Sequence, residues 1–456
     1  MCMTENSHQT KGLLRLTMAC NEQCPFCNVP QEDYARKTPP LEQTLAELQT
    51  FIDRNEKTLT ISGGEPTLLK KRLLLLVGKA KESGITSIEL QTNAILIDAE
   101  YAKNLFEAGV SSAFVSLLSE TPTIHDELTG VVGSFEKCVQ GIHNLIASNI
   151  EVTLNPVLSS ISQHRLIDYI EFVHQTFPSI TTISLSAIQP HGRAASNWDL
   201  LPDYQVLRDI IPTALERAQS HNIQILNPYC GLPLCVGWKN NLENCVEVFE
   251  RNDTNDLSED KPNIQNHGNK SKGIPCTWCV YRSKCGGAWH GYWQHKQGSG
   301  IQAPKKMVPP WQTTQLEPYL FCRNGEKDIC KSYISSIVSS NPLSIPWIVC
   351  NDISLPTWKY LINQRGVEVV LVWDSHRLPS LQSPSLKDKE LLRLWRKYAT
   401  LLHKKDSRLH ILLCGALSAY ETSLWNTFAP RVHIMLHVHT TYPTHWPDIS
   451  NPFLFV

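Results

Sequence analysis

The chain has 456 residues, a formal net charge of −1, 42% hydrophobic residues and 19% charged ones. That is enough chain for one to three globular domains with a sizeable core. Near-neutrality gives no footing for a nucleic-acid partner, and apolar runs such as residues 73–77 fall far short of the ~20 residues a membrane helix needs.

The first twelve residues are polar, so no secretory leader and a cytoplasmic location are expected. From residue 13 onward, strand-like segments at 13–18, 58–62, 87–91, 112–118, 151–158 and 181–188 alternate with helical patterns. These lie at 41–54, 70–83, 98–109, 134–149, 165–177 and 203–221. Repeated βα units imply parallel strands joined by helical crossovers, which suits an open sheet or a barrel. Polar residues gather where successive strands end, the edge on which α/β barrels build their sites. The expected fold class is therefore α/β, with a partial (β/α)6 barrel of TIM type over 13–226. A cysteine-bearing extension follows over 227–330, interrupted by a polar insertion at 246–273. Residues 301–345 are punctuated by proline, and 340–456 read as a small three-layer α/β domain. Its strands fall at 346–352, 367–374, 408–415 and 432–439, its helices at 355–364, 387–405 and 418–428. No glycine-rich nucleotide motif occurs there, so it is assigned no ligand.

The 15 cysteines have no export context, and bunched thiols then point to metal or redox chemistry. Cys20, Cys24 and Cys27 lie within eight residues after the first strand. A zinc site normally closes with four ligands, and no fourth Cys or His is near. Three thiolates on a four-iron cluster leave one iron open, so structural zinc and a catalytic cluster are the competing readings. ISGGEPT at 61–67 and QTNA at 91–94 end the second and third strands. Ser116 lies at the fourth and Asn155 at the fifth. Singly, each is equally a turn or capping residue.

Together, Cys20-x3-Cys24-x2-Cys27 with Phe26 before the third cysteine, then GGEP, then TN, resemble the radical SAM superfamily over about 13–226. The resemblance implies a [4Fe-4S] cluster on Cys20, Cys24 and Cys27 whose free iron is chelated by S-adenosylmethionine. One-electron reduction of the sulfonium then yields a 5′-deoxyadenosyl radical that abstracts hydrogen. It further implies adenine packing at Phe26, methionine contact at Gly63, Gly64 and Glu65, and ribose or carboxylate contact at Thr92, Asn93 and Ser116, with Asn155 nearby. Arg193 is a candidate partner for a carboxylate. Many relatives carry an arginine after the fourth strand, whereas this chain has Thr129. A reduced flavodoxin- or ferredoxin-like protein is the implied electron donor.

Cys276-x2-Cys279-x5-Cys285 forms a second group, for which zinc is again an alternative. It is similar to part of the SPASM/twitch auxiliary-cluster extensions. That resemblance assigns Cys235, Cys276, Cys279 and Cys285 to one auxiliary [4Fe-4S] cluster, with Cys230, Cys245 or Cys322 as substitutes for Cys235. Trp289 stands where the full pattern has another cysteine. Trp289, Tyr292 and Trp293 read as a packed aromatic cluster or a substrate surface. Cys2, Cys138, Cys330, Cys350 and Cys414 read as isolated thiols. The leading functional expectation is a radical SAM oxidoreductase acting on a peptide or protein. The alternatives are a radical SAM enzyme of small-molecule or cofactor synthesis, and a cluster protein for binding or electron transfer without catalysis.

Overall fold

A computed structural model describes residues 11–248, 270–276, 279, 281–282, 284–304, 319–322, 327–340, 346–350, 353, 355–364, 366–374, 379–414 and 417–439. The chain forms two compact units. One comprises residues 1–246, 264–273 and 287–302; the other comprises 247–263, 274–286 and 303–456. The segment 227–330 is thus divided between them, and most of the polar insertion lies outside the described residues.

In the first unit, strands β1 (Lys11–Thr17), β2 (Thr58–Gly63), β3 (Ser87–Thr92), β4 (Ser112–Val115) and β5 (Glu151–Leu154) come first. The short β6 (Val157–Leu158), β7 (Thr182–Ser184), β8 (Ser186–Ala187) and β9 (Gln224–Leu226) follow. Seven of them form one parallel sheet in the order β1-β2-β3-β4-β5-β7-β9, with β6 and β8 paired separately. Chain-order strands with right-handed crossovers put every helix on one face and curl the sheet into a partial barrel. The helices are α1 (Leu41–Asp53), α2 (Lys70–Glu82), α3 (Ala99–Ala108), α4 (Pro122–Thr129), α5 (Ser134–Ala147), α6 (Leu166–Thr176) and α7 (Tyr204–Ser220).

Alternate strand residues meet those helices: Leu14, Leu16, Leu59, Ile61, Ile88, Leu90, Val115, Leu154, Ile183 and Ile225 are all buried. Each such side chain stabilises by about 1.5–3 kcal/mol relative to exposure. The opposite parity is polar: Thr60 donates to Glu89 at 3.1 Å and Ser62 to Gln91 at 2.7 Å.

Three details differ from expectation. The expected strands 151–158 and 181–188 each break into two, β5 with β6 and β7 with β8. The sheet has seven strands, not six, because the three-residue β9 follows Asn222, whose φ of 57° turns the chain out of α7. The helix α4 was not foreseen; Pro122 opens it and left-handed Gly130 closes it.

In the second unit, β12 (Tyr319–Cys322), β13 (Trp347–Cys350), β14 (Glu368–Asp374), β15 (Arg408–Cys414) and β16 (Ile434–His439) form a five-stranded parallel sheet, also in chain order. The small pair β10 (Lys270–Ser271) and β11 (Ala288–Trp289) belongs to the first unit. The helices Lys327–Ser340, Leu355–Leu361, Leu386–Lys404 and Ala419–Arg431 all contribute to one apolar cluster. Cys330, Leu361, Trp395, Leu402 and Trp425 pack there with Ile348, Val369, Ile411 and Ile434. Among the described residues, these helices all pack on one face of the sheet. An unreversed strand order sends every crossover to the same side, whereas a doubly wound fold needs a reversal. No helix among the described residues is long and apolar enough to cross a membrane.

Candidate active site

The site grows from the segment that leaves β1. Gly64 N–H donates to the Thr17 carbonyl at 2.7 Å, and Glu65 N–H donates to the Ala19 carbonyl at 2.8 Å. This pairing requires glycine. A Cβ on Gly63, at φ +144°, would lie 2.0 Å from the Thr17 carbonyl oxygen, and one on Gly64 would lie 2.3 Å from that of Ala19.

Glu65 then points inward, fully buried. Its Oε1 accepts from the Thr67 amide at 2.9 Å, the Thr67 hydroxyl at 2.6 Å and the Thr92 hydroxyl at 2.8 Å. Its Oε2 accepts from the Asn93 amide at 2.8 Å. Burial pushes the Glu65 carboxyl up, while these four donors pull it down. Asn93 in turn donates from Nδ2 to Asn21 Oδ1 at 2.8 Å, inside the cysteine loop. Gln23 N–H donates to the Thr129 carbonyl at 2.9 Å. The loop is therefore laced to the ends of β2 and β3 and to the end of α4.

The strand ends continue the lacing. Ser116 N–H donates to the Thr92 carbonyl at 3.2 Å, and Asn155 N–H to the Val115 carbonyl at 2.8 Å. Asn155 Nδ2 donates to the Ser184 carbonyl at 2.8 Å and the Ser186 hydroxyl at 2.7 Å. Thr129 is fully buried with its hydroxyl 2.7 Å from that of Ser134, so it shapes a turn and presents no charge. Phe26 packs on Ile188, Ala194 and Leu201, beside Val157, Trp198 and Leu200.

The three thiols are half-buried and form no disulfide. Burial pushes Cys20 up to about 12, with the charges of Glu22, Glu65 and Cys27 adding to it. Burial raises Cys24 and Cys27 as well, and the nearby Arg193 partly offsets the rise at Cys27. Such thiols become thiolates when a metal takes up the charge. Glu22 is also pushed up to about 7 by burial and Glu65; its Oε2 accepts the Cys24 S–H at 3.6 Å. Its Oε1 is buried with no partner among the described residues. Three soft sulfur donors in one short loop suit an iron–sulfur centre. Among the described residues no three His, Cys, Asp or Glu side chains converge as for a single metal ion; a cubane gives each thiolate its own iron.

Arg193, after β8, straps this loop. Its backbone N–H donates to the Cys27 carbonyl at 2.9 Å and its Nη1 to the Cys24 carbonyl at 3.2 Å. The rest of the guanidinium pairs with Glu32, Nη2 to Oε2 at 2.7 Å. The carboxylate partner of Arg193 is thus Glu32 within the chain. Asn197 Nδ2 adds a bond to the Pro25 carbonyl at 2.9 Å. Asn21, Glu22, Glu32, Thr67 and Asn197 went unread in the sequence. For Thr67 a signal existed, because a glutamate two residues before a threonine in GGEPT forms a local cap.

In the second group, Cys276, Cys279 and Cys285 are buried and share a tight turn. Cys279 N–H donates to the Cys276 carbonyl, Cys285 N–H to that of Tyr281, and Tyr281 N–H to Cys279 Sγ at 3.4 Å. Burial pushes the Cys279 thiol up to about 12, with Cys285 and Cys276 adding and Arg408 opposing. These three belong to the second unit, while Cys235, Cys230 and Cys245 belong to the first. The side chains of Cys322 and Cys414, and all of Cys2, lie outside the described residues. Cys138, Cys330 and Cys350 are fully buried thiols. Trp289 and Tyr292 are core residues. Tyr292 stacks on Tyr204 at 3.6 Å between ring centroids and bonds its hydroxyl to the Ser299 carbonyl. Trp293 donates from Nε1 to the Ser271 carbonyl at 2.9 Å.

Residues 14–173 match the family model of the radical SAM superfamily. The chain is 25% identical over 236 residues to a probable GTP 3′,8-cyclase of Sulfurisphaera tokodaii, covering 49% of this chain and 74% of that one. It is 30% identical over 213 residues to the PqqA peptide cyclase of Rhodopseudomonas palustris, covering 44% and 53%. Among solved structures, Streptococcus suis SuiB bound to the precursor peptide SuiA aligns with a TM-score of 0.39 at 18% identity, over 47% of this chain and 48% of that one.

Proposed function

We propose that this chain, whose residues 14–173 belong to the radical SAM superfamily, is an enzyme that cleaves S-adenosylmethionine reductively and oxidises a peptide or protein substrate. Cys20, Cys24 and Cys27 hold a [4Fe-4S] cluster. When bound, the cluster and S-adenosylmethionine supply a 5′-deoxyadenosyl radical that takes hydrogen from the substrate.

The chain's own residues fix where that chemistry occurs. The observation that carries the reading is the bond between Asn93 and Asn21, with Glu65 gripping Thr92 and Asn93 behind it. It sets the three-thiol loop beside the ends of β2 and β3, the edge on which α/β barrels build their sites, with Gly63 and Gly64 letting that backbone lie against Thr17 and Ala19. In this reading Gly63, Gly64, Thr92, Asn93 and Ser116, which lie at that edge, contact S-adenosylmethionine, with Asn155 at the end of the next strand. Phe26 serves chiefly to seat the loop on the apolar cluster at Ile188 and Leu201. Arg193, spent on Glu32 and the cysteine carbonyls, keeps the loop closed. Cys276, Cys279 and Cys285, with a fourth ligand, hold the auxiliary cluster. A reduced flavodoxin- or ferredoxin-like protein delivers the electron.

The relative named as a PqqA peptide cyclase favours the peptide reading. The relative named as a GTP 3′,8-cyclase supports a second reading, a small-molecule substrate. Anaerobic reconstitution with iron, sulfide and dithionite tests the shared core: 5′-deoxyadenosine accumulates when S-adenosylmethionine is added. None formed by a fully loaded protein leaves the non-catalytic reading. A mass change in a short peptide encoded beside the gene separates peptide from small molecule.

A further inference from the structure

The sheet face of the second unit that carries no helix among the described residues carries a buried ionic network. Glu368 on β14, and Arg408 and His410 on β15, are 1%, 3% and 0% exposed. Arg408 Nε donates to Glu368 Oε1 at 2.9 Å, and His410 Nε2 lies 2.6 Å from Glu368 Oε2. His410 Nδ1 lies 3.0 Å from His437 Nε2 on β16. Buried ion pairs return little net stability, since desolvation offsets their attraction, and apolar residues fill such positions at no loss. A network of this kind on a face that needs only apolar cover calls for another role.

Its free end shows that role. Arg408 Nη2 donates to the carbonyl of Cys279 at 2.9 Å, while Nη1 is buried with no hydrogen-bond partner among the described residues. A second arginine repeats the arrangement. Arg282 Nη1 donates to the carbonyl of Cys276 at 3.3 Å, and Nη2 lies 3.0 Å from His403 Nε2. Its Nε sits 3.8 Å from Asp406. His403 and Asp406 lie just before β15. The carbonyls of two of the three cysteines are therefore each held by a guanidinium anchored to the same strand and its approach. The turn also contains buried Lys284, and its far end is fixed by Gly286 N–H donating to Glu247 at 2.7 Å.

We infer that the C-terminal α/β unit is the cradle of the second cluster, with Arg282 and Arg408 as positioning residues that orient Cys276 and Cys279 and bias the cluster's charge state. This rests on the auxiliary-cluster reading above. A cluster gaining an electron becomes more negative. Nearby buried cations favour that form and raise the reduction potential.

The test uses the full chain with both clusters reconstituted, read by iron content, electron paramagnetic resonance and redox titration. A Cys20/Cys24/Cys27→Ala variant isolates the second cluster. In that background Arg282→Gln, and separately the pair Glu368→Gln with Arg408→Gln, which removes both charges together, are compared. The expected result is a lower midpoint potential for Arg282→Gln, which loses a cation, and an altered resonance signal for both variants, since the paired change keeps the net charge but frees the Cys279 carbonyl. No iron in the triple-cysteine background overturns the underlying reading before any arginine is changed. Iron retained with potential and signal unmoved by either arginine change overturns the inference alone. Should the paired variant fail to load, Arg282→Gln decides.

Discussion

Asn93 donates its backbone N–H to Glu65 at 2.8 Å and its side-chain amide to Asn21 at 2.8 Å, so one residue joins the end of β2 to the cysteine loop. Glu65 is the acceptor of four donors and has no donor of its own. Glu65→Gln turns an NH2 group toward donors it cannot satisfy. Bonds to a buried charged group contribute about 1.5–3 kcal/mol, so a loss on the order of 2–4 kcal/mol in stability is expected. Chemical denaturation of the apo chain reads it directly, and an unchanged midpoint would mean the grip of Glu65 is immaterial.

Gly192 shows how closely the strap approaches the loop. At φ +55°, an added Cβ would sit 2.4 Å from the Cys27 carbonyl oxygen. Left-handed backbone costs a residue with a Cβ about 1–2 kcal/mol before any clash. Gly192→Ala is expected to push the strap off and speed iron loss from the N-terminal cluster under a chelator. A release rate equal to wild type refutes the strapping role.

Arg193→Gln tests the same strap without touching backbone conformation. It removes the pairing to Glu32 and the bond to the Cys24 carbonyl. Because the Glu32 partner is solvent-exposed, the stability change should be small. The effect belongs in iron retention, which should fall as in Gly192→Ala, and in its loss of sensitivity to salt. Retention at the wild-type rate at low salt counts against it.

The parts of this site that are short in sequence were legible. Cys20 to Cys27, GGEP and TN fit in windows of a few residues, and their residue types state their chemistry. What could not be read is what joins distant segments: Arg193 meets Glu32 across 161 positions, and Arg408 meets Cys279 across 129. The helix Lys327–Ser340 was hidden for a different reason. Prolines on both sides mark turns, although the segment itself lacks proline and spaces Cys330, Tyr333 and Ile334 along one face. β9 is only three residues long, too short to show an alternation.

Iron and sulfide counting checks the two-cluster assignment. Each [4Fe-4S] centre holds four irons, so the wild type should carry about eight and the Cys20/Cys24/Cys27→Ala variant about four. Zinc in place of the remaining iron, found by elemental analysis, would make the second group a structural site.

His125 supplies a pH dependence away from any cysteine ligand. It is 0% exposed on α4, its Nδ1 accepts the Leu118 N–H at 3.2 Å, and burial depresses it from 6.5 to about 4. A folded-state value below the unfolded one means that the unfolded chain binds the extra proton as pH falls. The stabilisation is therefore complete above about 6.5 and is lost between there and about 4. Between pH 7 and pH 5 the loss should be about 2 kcal/mol. His125→Asn keeps an acceptor for Leu118 and removes the titration. Its denaturation midpoint should change less over the same interval than that of the wild type. Parallel curves for the two proteins would assign the acid sensitivity to other groups.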